Sequence, residues 1–498
     1  MTQTDSPLGT APVGKLVLQL AIPAMLAQFV NILYSVVDRM YVGHIAGAGD
    51  AALAGVGVCA PVVTMITAIG ALIGFGGGPL MSIRMGRRDM DGARQIITNS
   101  FYLLLALSVL ATVPLLIFKR QILFAFGCSE VLWDYAQAYF TTYVSGTVFA
   151  LLSYGLNQIT MSQGFSGTAM RSVMLGAAVN IALDPVFIFA LHMGVRGAAL
   201  ATVLSQACST VYILRFLFSG RAAVRITRQS VNFGWMRRIV QVGLSPALII
   251  ALDNVLLISI NVMLRKYGGA DSDMLIACAA IMQSFMLVIT MPLGGITAGT
   301  QSILGYNYGA CDEKRVMKAF RCIVLLCLVF CGIMFLLAQT VSGAFVKIFT
   351  KDPAYIDMAA YMIRTYSLGV LGLTIQYPFV DGMTGMGLVK WGLTFSMIRK
   401  GIFLVSVFVL PPIFGATAVM FSEPLSDVVG AVCSGCAAIF ILPKLVRKQC
   451  CKQSEECVLP EPSSRSFSIL HFSCSITLRS LYKLPLYERI STLYNKVR

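Results

Sequence analysis

Long apolar segments separated by short polar loops run through most of the chain. Twelve of them lie between residues 16 and 442, and each is near or above the roughly 20 residues that an α-helix needs to cross a bilayer. Helices satisfy their own backbone hydrogen bonds, which hydrocarbon cannot do for them. The pattern predicts an all-α membrane protein that spans the bilayer at residues 16–42, 52–74, 95–118, 135–158, 168–190, 196–218, 238–264, 274–297, 318–342, 356–380, 391–412 and 417–442.

The composition agrees with this prediction. Of 498 residues, 57% are hydrophobic and 12% are charged, and the mean hydropathy is +0.79. A soluble domain usually carries about a quarter charged residues. Residues 1–14 are polar, and the first apolar segment is too long for the core of a cleaved signal peptide. We therefore expect that segment to remain as a membrane span.

The net charge of +16 is better explained by basic residues in the loops of a membrane protein than by a surface that binds nucleic acid. The basic residues concentrate in short loops, with sixteen on the side of the even-numbered connections and eight on the other. The side richer in Arg and Lys is normally cytoplasmic. We expect a multi-pass protein of the plasma membrane with both termini in the cytoplasm.

The two halves of the chain repeat each other. At a distance of 223 positions, Pro23, Asn31, Met40, Gly86 and Asp89 match Pro246, Asn254, Met263, Gly309 and Asp312. At a distance of 218 positions, Gly164, Gly167, Gly197 and Ala198 match Gly382, Gly385, Gly415 and Ala416. Each half holds an even number of spans, so the halves share one orientation and a transport path is expected between them.

The predicted organisation has five parts. They are a cytoplasmic N-terminus at 1–14, an N-terminal six-helix lobe at 15–218, a basic cytoplasmic linker at 219–237, a C-terminal six-helix lobe at 238–443 and a cytoplasmic tail at 444–498. The Pro, Ser and charge content of the tail is typical of disorder, and its later part is suited to a helix on the membrane surface.

Several polar residues of the first half lose their polarity or charge in the repeat. Asp38 pairs with Asn261, while Asn180, Asp184 and Thr202 pair with Ile398, Ile402 and Met420. Asn180 and Asp184 lie on one face of span five, and Pro185 predicts a bend in that helix. Acids inside membrane spans are usually functional, and two carboxylates among neutral oxygens suit a small hard cation or a shared proton. For Asp38, a place at the membrane interface beside Arg39 stays open.

The second half has charged residues of its own within apolar segments. Asp253 lies deep in span seven and is a candidate for attracting a cationic substrate, whereas Asp381 is interpreted as a loop acid near the cytoplasmic face. Arg399 and Lys400 lie inside span eleven, where a cation needs a partner or a wet cavity. The sequence does not identify that partner.

Motifs for other chemistry are missing from the sequence. It contains no GxxxxGK[ST] stretch, and "GFGGGP" at 74–79 follows a membrane helix, so we interpret it as a hinge or a close-packing site. With three histidines, the 14 cysteines do not suggest a zinc site. We therefore expect a transporter driven by an ion gradient, with no catalytic residues and no cofactor besides the coupling ion.

Four motifs together resemble the multidrug and toxic compound extrusion (MATE) family over residues 15–443. They are "VVDRMYVG" in span one, "NIALDPVFIF" in span five, "GVRGAALATVLSQ" entering span six and "YNYGACDEKR" after span eight. The resemblance implies twelve helices in two six-helix lobes around a V-shaped cavity. It also implies an antiporter, which exports organic, often cationic, compounds in exchange for Na⁺ or H⁺.

The resemblance also assigns roles to residues. The coupling site implied by it is formed by Asp38, Asn157, Asn180, Asp184 and Thr202, with Na⁺ ligands expected at Asp38, Asn180, Asp184 and Thr202. Candidates for the substrate cavity are Asp253, Gln163, Gln283 and Asp381. The chain departs from the family at "MSQG", where Met161 replaces an arginine that similar proteins often carry, and the tail from about residue 447 matches nothing in the family.

The expected partners are the lipid bilayer and drug-like small molecules, without nucleic acid, and a monomer is expected. The alternative function is a flippase for lipid-linked oligosaccharides, which would show a strongly cationic central cavity. Arg399 and Lys400 keep that alternative open. A membrane-embedded sensor that signals through the tail is a further alternative.

Overall fold

A computed structural model describes residues 6–45 and 49–458, and all regular secondary structure in these two ranges is helical. The predicted tail lies outside the described residues from 459 onwards. The α-helices in the described ranges are α1 (Pro7–Thr10), α2 (Val13–Gly43), α3 (Gly49–Gly86), α4 (Met90–Ile117), α5 (Lys119–Ala125), α6 (Trp133–Ser145), α7 (Thr147–Ser162), α8 (Ser166–Pro185), α9 (Gly194–Phe218), α10 (Phe233–Tyr267), α11 (Ser272–Gly309), α12 (Glu313–Val346), α13 (Pro353–Tyr366), α14 (Val370–Gly385), α15 (Val389–Phe414), α16 (Ser422–Phe440) and α17 (Leu442–Val458). One compact unit ends at Arg447, and the next begins at Lys448.

Twelve membrane crossings form the fold, as predicted. Eleven helical stretches of the described residues are long and apolar enough to cross a membrane. The twelfth crossing consists of α6 and α7, which divide at Gly146, so neither is long enough alone. α2–α9 form the N-terminal lobe and α10–α16 form the C-terminal lobe, and the all-α, two-lobe prediction is confirmed.

A glycine stands where span four divides. A Cβ at Gly146 would lie 2.4 Å from a methyl carbon of Val203, so a side chain there would push α9 away. Gly369, 223 positions later, stands in the 3₁₀ turn Ser367–Gly369 that divides α13 from α14. Both lobes are therefore interrupted at the same place.

The 223-residue distance between repeated positions holds over more of each lobe than the sequence indicated. Gly164 (φ +88°) and Gly387 (φ +71°) are 223 apart and follow α7 and α14, where the left-handed backbone favours glycine. The 218-residue match between Gly164 and Gly382 is therefore wrong, because Gly382 lies inside α14. In the corrected register Asn180 and Asp184 pair with Phe403 and Val407, which are also apolar, so the contrast between the halves remains.

Close glycine contacts join the two lobes. A Cβ at Gly76 would lie 2.1 Å from the carbonyl oxygen of Ile239 on α10. A Cβ added at Gly86 would lie 1.9 Å from the Tyr306 carbonyl oxygen, and one added at Gly309 would lie 2.2 Å from the Ile83 carbonyl oxygen. The "GFGGGP" stretch lies within α3 and serves close helix packing, which is one of the two predicted alternatives.

The linker between the lobes lies against the N-terminal lobe. The Thr98 hydroxyl donates to the Thr227 carbonyl at 3.1 Å, and the Trp235 indole N–H donates to Gln95 Oε1 at 2.8 Å. Gln163, at the end of α7, accepts a hydrogen bond from the Val224 N–H at 2.9 Å. These bonds hold the linker against the ends of α4 and α7.

Candidate functional site

A cavity of about 550 Å³ lies within the N-terminal lobe, mainly among α2, α7, α8 and α9. Asn157 and Asn180 line it, together with Gln206 of α9 and Arg39 of α2. The amides provide fixed polar groups in an otherwise apolar bundle, which is typical of sites for small molecules and ions. Three residues of α11 also reach the wall, so the cavity opens towards the C-terminal lobe.

Two carboxyl groups meet beside this cavity. Asp184 on α8 is fully buried, Asp38 on α2 is half-buried, and their carboxyls interact directly across the packed helices. The Asn180 amide donates to Asp184 Oδ1 over a long 3.4 Å, one turn earlier on the same helix face. None of the ion pairs among the described residues includes either acid. Arg39, the next residue along the chain, acts on Asp38 through its charge but forms no salt bridge with it.

Acceptor oxygens without a hydrogen-bond partner gather in this lobe. Within the described part of the chain, five such buried atoms belong to site residues: Asp38 Oδ1, Asn157 Oδ1, Asn180 Oδ1, Asp184 Oδ2 and Gln206 Oε1. Buried acceptors without partners are rare and cost free energy. These oxygens form no ion pair with Arg39, which lines the same cavity, so they are chemically suited to receive a proton or a hard cation such as Na⁺.

The remaining predicted coupling residues are held by their own helices. Asn157 donates to the Ala169 carbonyl at 3.3 Å, which orients its free oxygen. Thr202 is half-buried on α9, and its hydroxyl donates to the Ala198 carbonyl at 3.0 Å. Pro185 ends α8, and the chain continues in a π-helical turn over Val186–Ala190. The structure thus brings Asp38, Asn180 and Asp184 together, with Asn157 on the same cavity.

Sequence reasoning missed two aromatic residues beside the acid pair. The rings of Tyr139 and Tyr143 stack at 5.9 Å, and both side chains are buried. Tyr139 lies near Asp38, and the Tyr143 hydroxyl interacts with Gln206. Gln206 follows Thr202 by four residues, so the i, i+4 spacing was a signal that could have included it.

The four predicted substrate-cavity residues lie outside the lining of this cavity. Gln163 contacts the linker, and Gln283 of α11 interacts with the Tyr366 hydroxyl. The interpretation of Asp381 as a loop acid is wrong, because it lies inside α14 and accepts a 2.5 Å hydrogen bond from the Thr297 hydroxyl. Asp253 has a 56% exposed side chain and pairs with the ammonium group of Lys400.

The C-terminal lobe provides the partners that the sequence did not identify. Arg399 Nη1 lies 2.7 Å from Asp427 Oδ1 and 3.0 Å from Glu423 Oε1. Lys400 is 4% exposed and pairs with Asp253. Both basic residues of span eleven are therefore neutralised by acids. Glu423 and Asp427, one turn apart on α16, were overlooked in the sequence.

Two pseudo-symmetric six-helix lobes with a polar cavity inside the membrane region define a two-lobe membrane transporter. The sequence profile of the MatE family matches residues 23–186 and 247–409, and the chain belongs to this family, the multidrug and toxic compound extrusion transporters. The two matched segments begin and end at equivalent places in the two lobes.

Relatives and solved structures agree with this family. "Multidrug export protein MepA" of Staphylococcus haemolyticus (strain JCSC1435) is 24% identical over 423 residues, covering 84% of this chain and 91% of the relative. The protein of the same name from Staphylococcus aureus (strain N315) is 22% identical over 421 residues, with coverage of 84% and 91%. A solved structure described as "Outward-facing conformation of a multidrug resistance MATE family transporter of the MOP superfamily" superimposes with a TM-score of 0.83 at 22% identity, covering 90% of this chain and all of that one.

Proposed function

We propose that this chain is a secondary active exporter of drug-like, often cationic, organic compounds, and that Na⁺ or H⁺ moves inward in exchange. The observation that carries the coupling half of the proposal is the pair Asp38 and Asp184, which face each other and form no ion pair among the described residues. The names of the MepA relatives support the drug-export half. Both termini lie in the cytoplasm in this proposal, in line with the distribution of basic residues in the loops.

The exporter works by alternating access. Na⁺ or H⁺ from outside binds at Asp38 and Asp184 and removes the repulsion between their charges. The π-helical turn after Pro185 then changes its hydrogen bonding, because backbone without regular α-helical bonds is the most readily rearranged part of α8. The drug leaves the outward-open state, and the transporter reloads from the cytoplasm. Ion and drug need to prefer different states, since equal affinity for both states shifts nothing.

Gradient-driven transport of a fluorescent organic cation from proteoliposomes tests this proposal. The protein with Asp184→Asn is compared with the unchanged protein under an imposed Na⁺ or H⁺ gradient. Asp91→Asn is the matched control, because Asp91 has an 86% exposed side chain and forms only a surface pair with Arg94. We expect efflux under one gradient, its loss in Asp184→Asn and its retention in Asp91→Asn. Equal efflux from all three proteins would remove Asp184 from the mechanism.

The charges of the C-terminal lobe give no support to the flippase alternative. That function requires a cationic cavity for a pyrophosphate, but Arg399 and Lys400 are paired with acids. Among the five charged residues of these described pairs, acids outnumber bases by three to two. Absence of cation efflux under both gradients would favour the flippase.

A further inference from the structure

Three charged residues form a compact group inside the C-terminal lobe, which we name the C-terminal triad: Arg399, Glu423 and Asp427. One nitrogen, Arg399 Nη1, donates to both acids, at 2.7 Å to Asp427 Oδ1 and 3.0 Å to Glu423 Oε1. Glu423 and Asp427 are four residues apart on α16, so both point towards α15. The group lies away from Asp38 and Asp184, which belong to the other lobe.

The two acids of the triad differ in how completely they are hydrogen-bonded. Glu423 accepts on both oxygens, because the Tyr366 hydroxyl donates to Oε2 at 3.2 Å. Asp427 is fully buried, and its Oδ2 has no partner among the described residues. That oxygen faces Gly369, where a Cβ would lie only 2.8 Å from it. A bare, fully buried carboxylate oxygen is among the most costly polar atoms a protein can hold.

The charges of the triad do not balance when all three groups are ionised. One guanidinium faces two carboxyl groups, which leaves one negative charge inside the lobe. Lys400 does not supply the missing positive charge, because it is paired with Asp253. The other titratable groups that face the triad are Tyr366 of α13, Tyr377 of α14 and Cys331 of α12, all neutral in their usual forms. An unbalanced buried charge is normally removed by taking up a proton.

We propose that the C-terminal triad is a proton site and that the proton resides on Asp427. The proton comes from water and bonds to Oδ2, while Arg399 stays positive and Glu423 stays negative, so the triad becomes neutral. This site is separate from the acids of the N-terminal lobe, and it gives the protein one proton-binding centre in each lobe or a proton centre beside a Na⁺ site. It does not depend on whether the protein exports drugs.

Infrared spectroscopy of the purified full-length protein in lipid nanodiscs tests the proposal, with the spectrum of each added variant subtracted from that of a starting variant. The starting variant carries Asp38→Asn and Asp184→Asn, so the N-terminal acids do not contribute. We expect an absorption band of a protonated, buried carboxyl group in this variant. Adding Asp427→Asn should remove the band, and adding Glu423→Asp, which keeps the negative charge at that position, should leave the band at the same frequency. Asn keeps an acceptor oxygen for Arg399, so the Asp427→Asn protein should remain folded, which size-exclusion chromatography checks.

A second variant covers the case in which Asp427→Asn fails to fold. Asp427→Glu keeps an acid at this position, so the band should move in frequency rather than disappear. The proposal is overturned if the band is unchanged by both Asp427 variants, or if Glu423→Asp moves its frequency while Asp427→Glu does not. These results are independent of transport, so a failure here leaves the proposed export function standing.

Discussion

In the N-terminal lobe, Asp38 and Asp184 face each other and form no ion pair among the described residues, whereas in the C-terminal lobe every acid described above has a basic or hydroxyl donor, although Asp427 keeps one oxygen without a partner. The backbones of the lobes repeat, down to the interruptions at Gly146 and Gly369. Their charges do not repeat. An acid inside a membrane span that forms no ion pair is usually a binding group, whereas acids paired with Arg399 or Lys400 also join neighbouring helices. We therefore propose that ion coupling belongs to the N-terminal lobe, and that the ion pairs of the C-terminal lobe anchor its helices while the C-terminal triad holds its proton.

The contrast between the two lobes predicts the largest effect on export at Asp38 and Asp184. We expect Asp38→Asn and Asp184→Asn each to lower gradient-driven export by about 5- to 150-fold, the range typical for coupling between ligand sites. Their thermal stability should stay equal or rise, because each change removes one of two facing carboxyls. Export assays in proteoliposomes and thermal unfolding in detergent check the two parts. A large loss of stability would mean that these acids are structural.

The opposite result is expected for Arg399. Arg399→Leu leaves Glu423 and Asp427 without their shared donor, so it should destabilise the protein by about 3–5 kcal/mol, as is usual when a buried ion pair loses one member. Adding Glu423→Gln and Asp427→Asn should restore most of that stability, because no buried charge remains. Unfolding of all three proteins in denaturing detergent measures this. Equal stability of the native protein and Arg399→Leu would show that the triad is not an anchor.

A smaller effect is expected where the lobes touch. Gly76→Ala places a Cβ about where the Ile239 carbonyl lies, so α3 and α10 have to separate, at a cost of about 1–3 kcal/mol for such overpacking. Gly332→Ala on α12 is the matched control, since no atom lies within 4 Å of its added Cβ. That control should be stabilised by up to about 1 kcal/mol through helix propensity. Thermal unfolding of the two variants measures the difference. Similar changes in melting temperature would contradict the close contact between α3 and α10.

The smallest effect is expected at Asn157. Its free Oδ1 is a neutral member of the proposed coupling site, so Asn157→Leu should weaken ion binding by about 0.5–1.5 kcal/mol, the usual contribution of one hydrogen bond. The ion concentration for half-maximal export should therefore rise several-fold while the maximal rate changes little. Initial rates of export at varied ion concentration test this. An unchanged ion dependence would exclude Asn157 from the site.

Hydropathy and the repeat were sufficient to predict the spans and the lobes, because burial in lipid imposes length and composition directly on the sequence. Boundaries were harder. Span ten was predicted to end at residue 380, but α14 continues to Gly385, so Asp381 was misplaced into a loop. The helix ends where Gly387 provides a left-handed backbone, a signal that hydropathy ignores.

The candidate site was recovered in part. Asp38, Asn180 and Asp184 stood out because their counterparts in the repeat are uncharged, and the structure brings these three together. Tyr139 and Tyr143 were missed because aromatic residues in apolar segments look like ordinary packing. The partners of Arg399 were missed for a different reason: they lie on the next helix, 24 and 28 residues later, and only the packing of α15 on α16 brings them together.

Drug binding by the purified protein, without any gradient, tests most directly whether Asp38 and Asp184 form the coupling site. The dissociation constant of a fluorescent organic cation is measured as Na⁺ or H⁺ concentration rises, for the native protein and for the protein with Asp38→Asn and Asp184→Asn. We predict that one ion weakens drug binding to the native protein and that the double variant no longer responds to that ion. An equal response of both proteins would contradict the assignment of coupling to the N-terminal lobe.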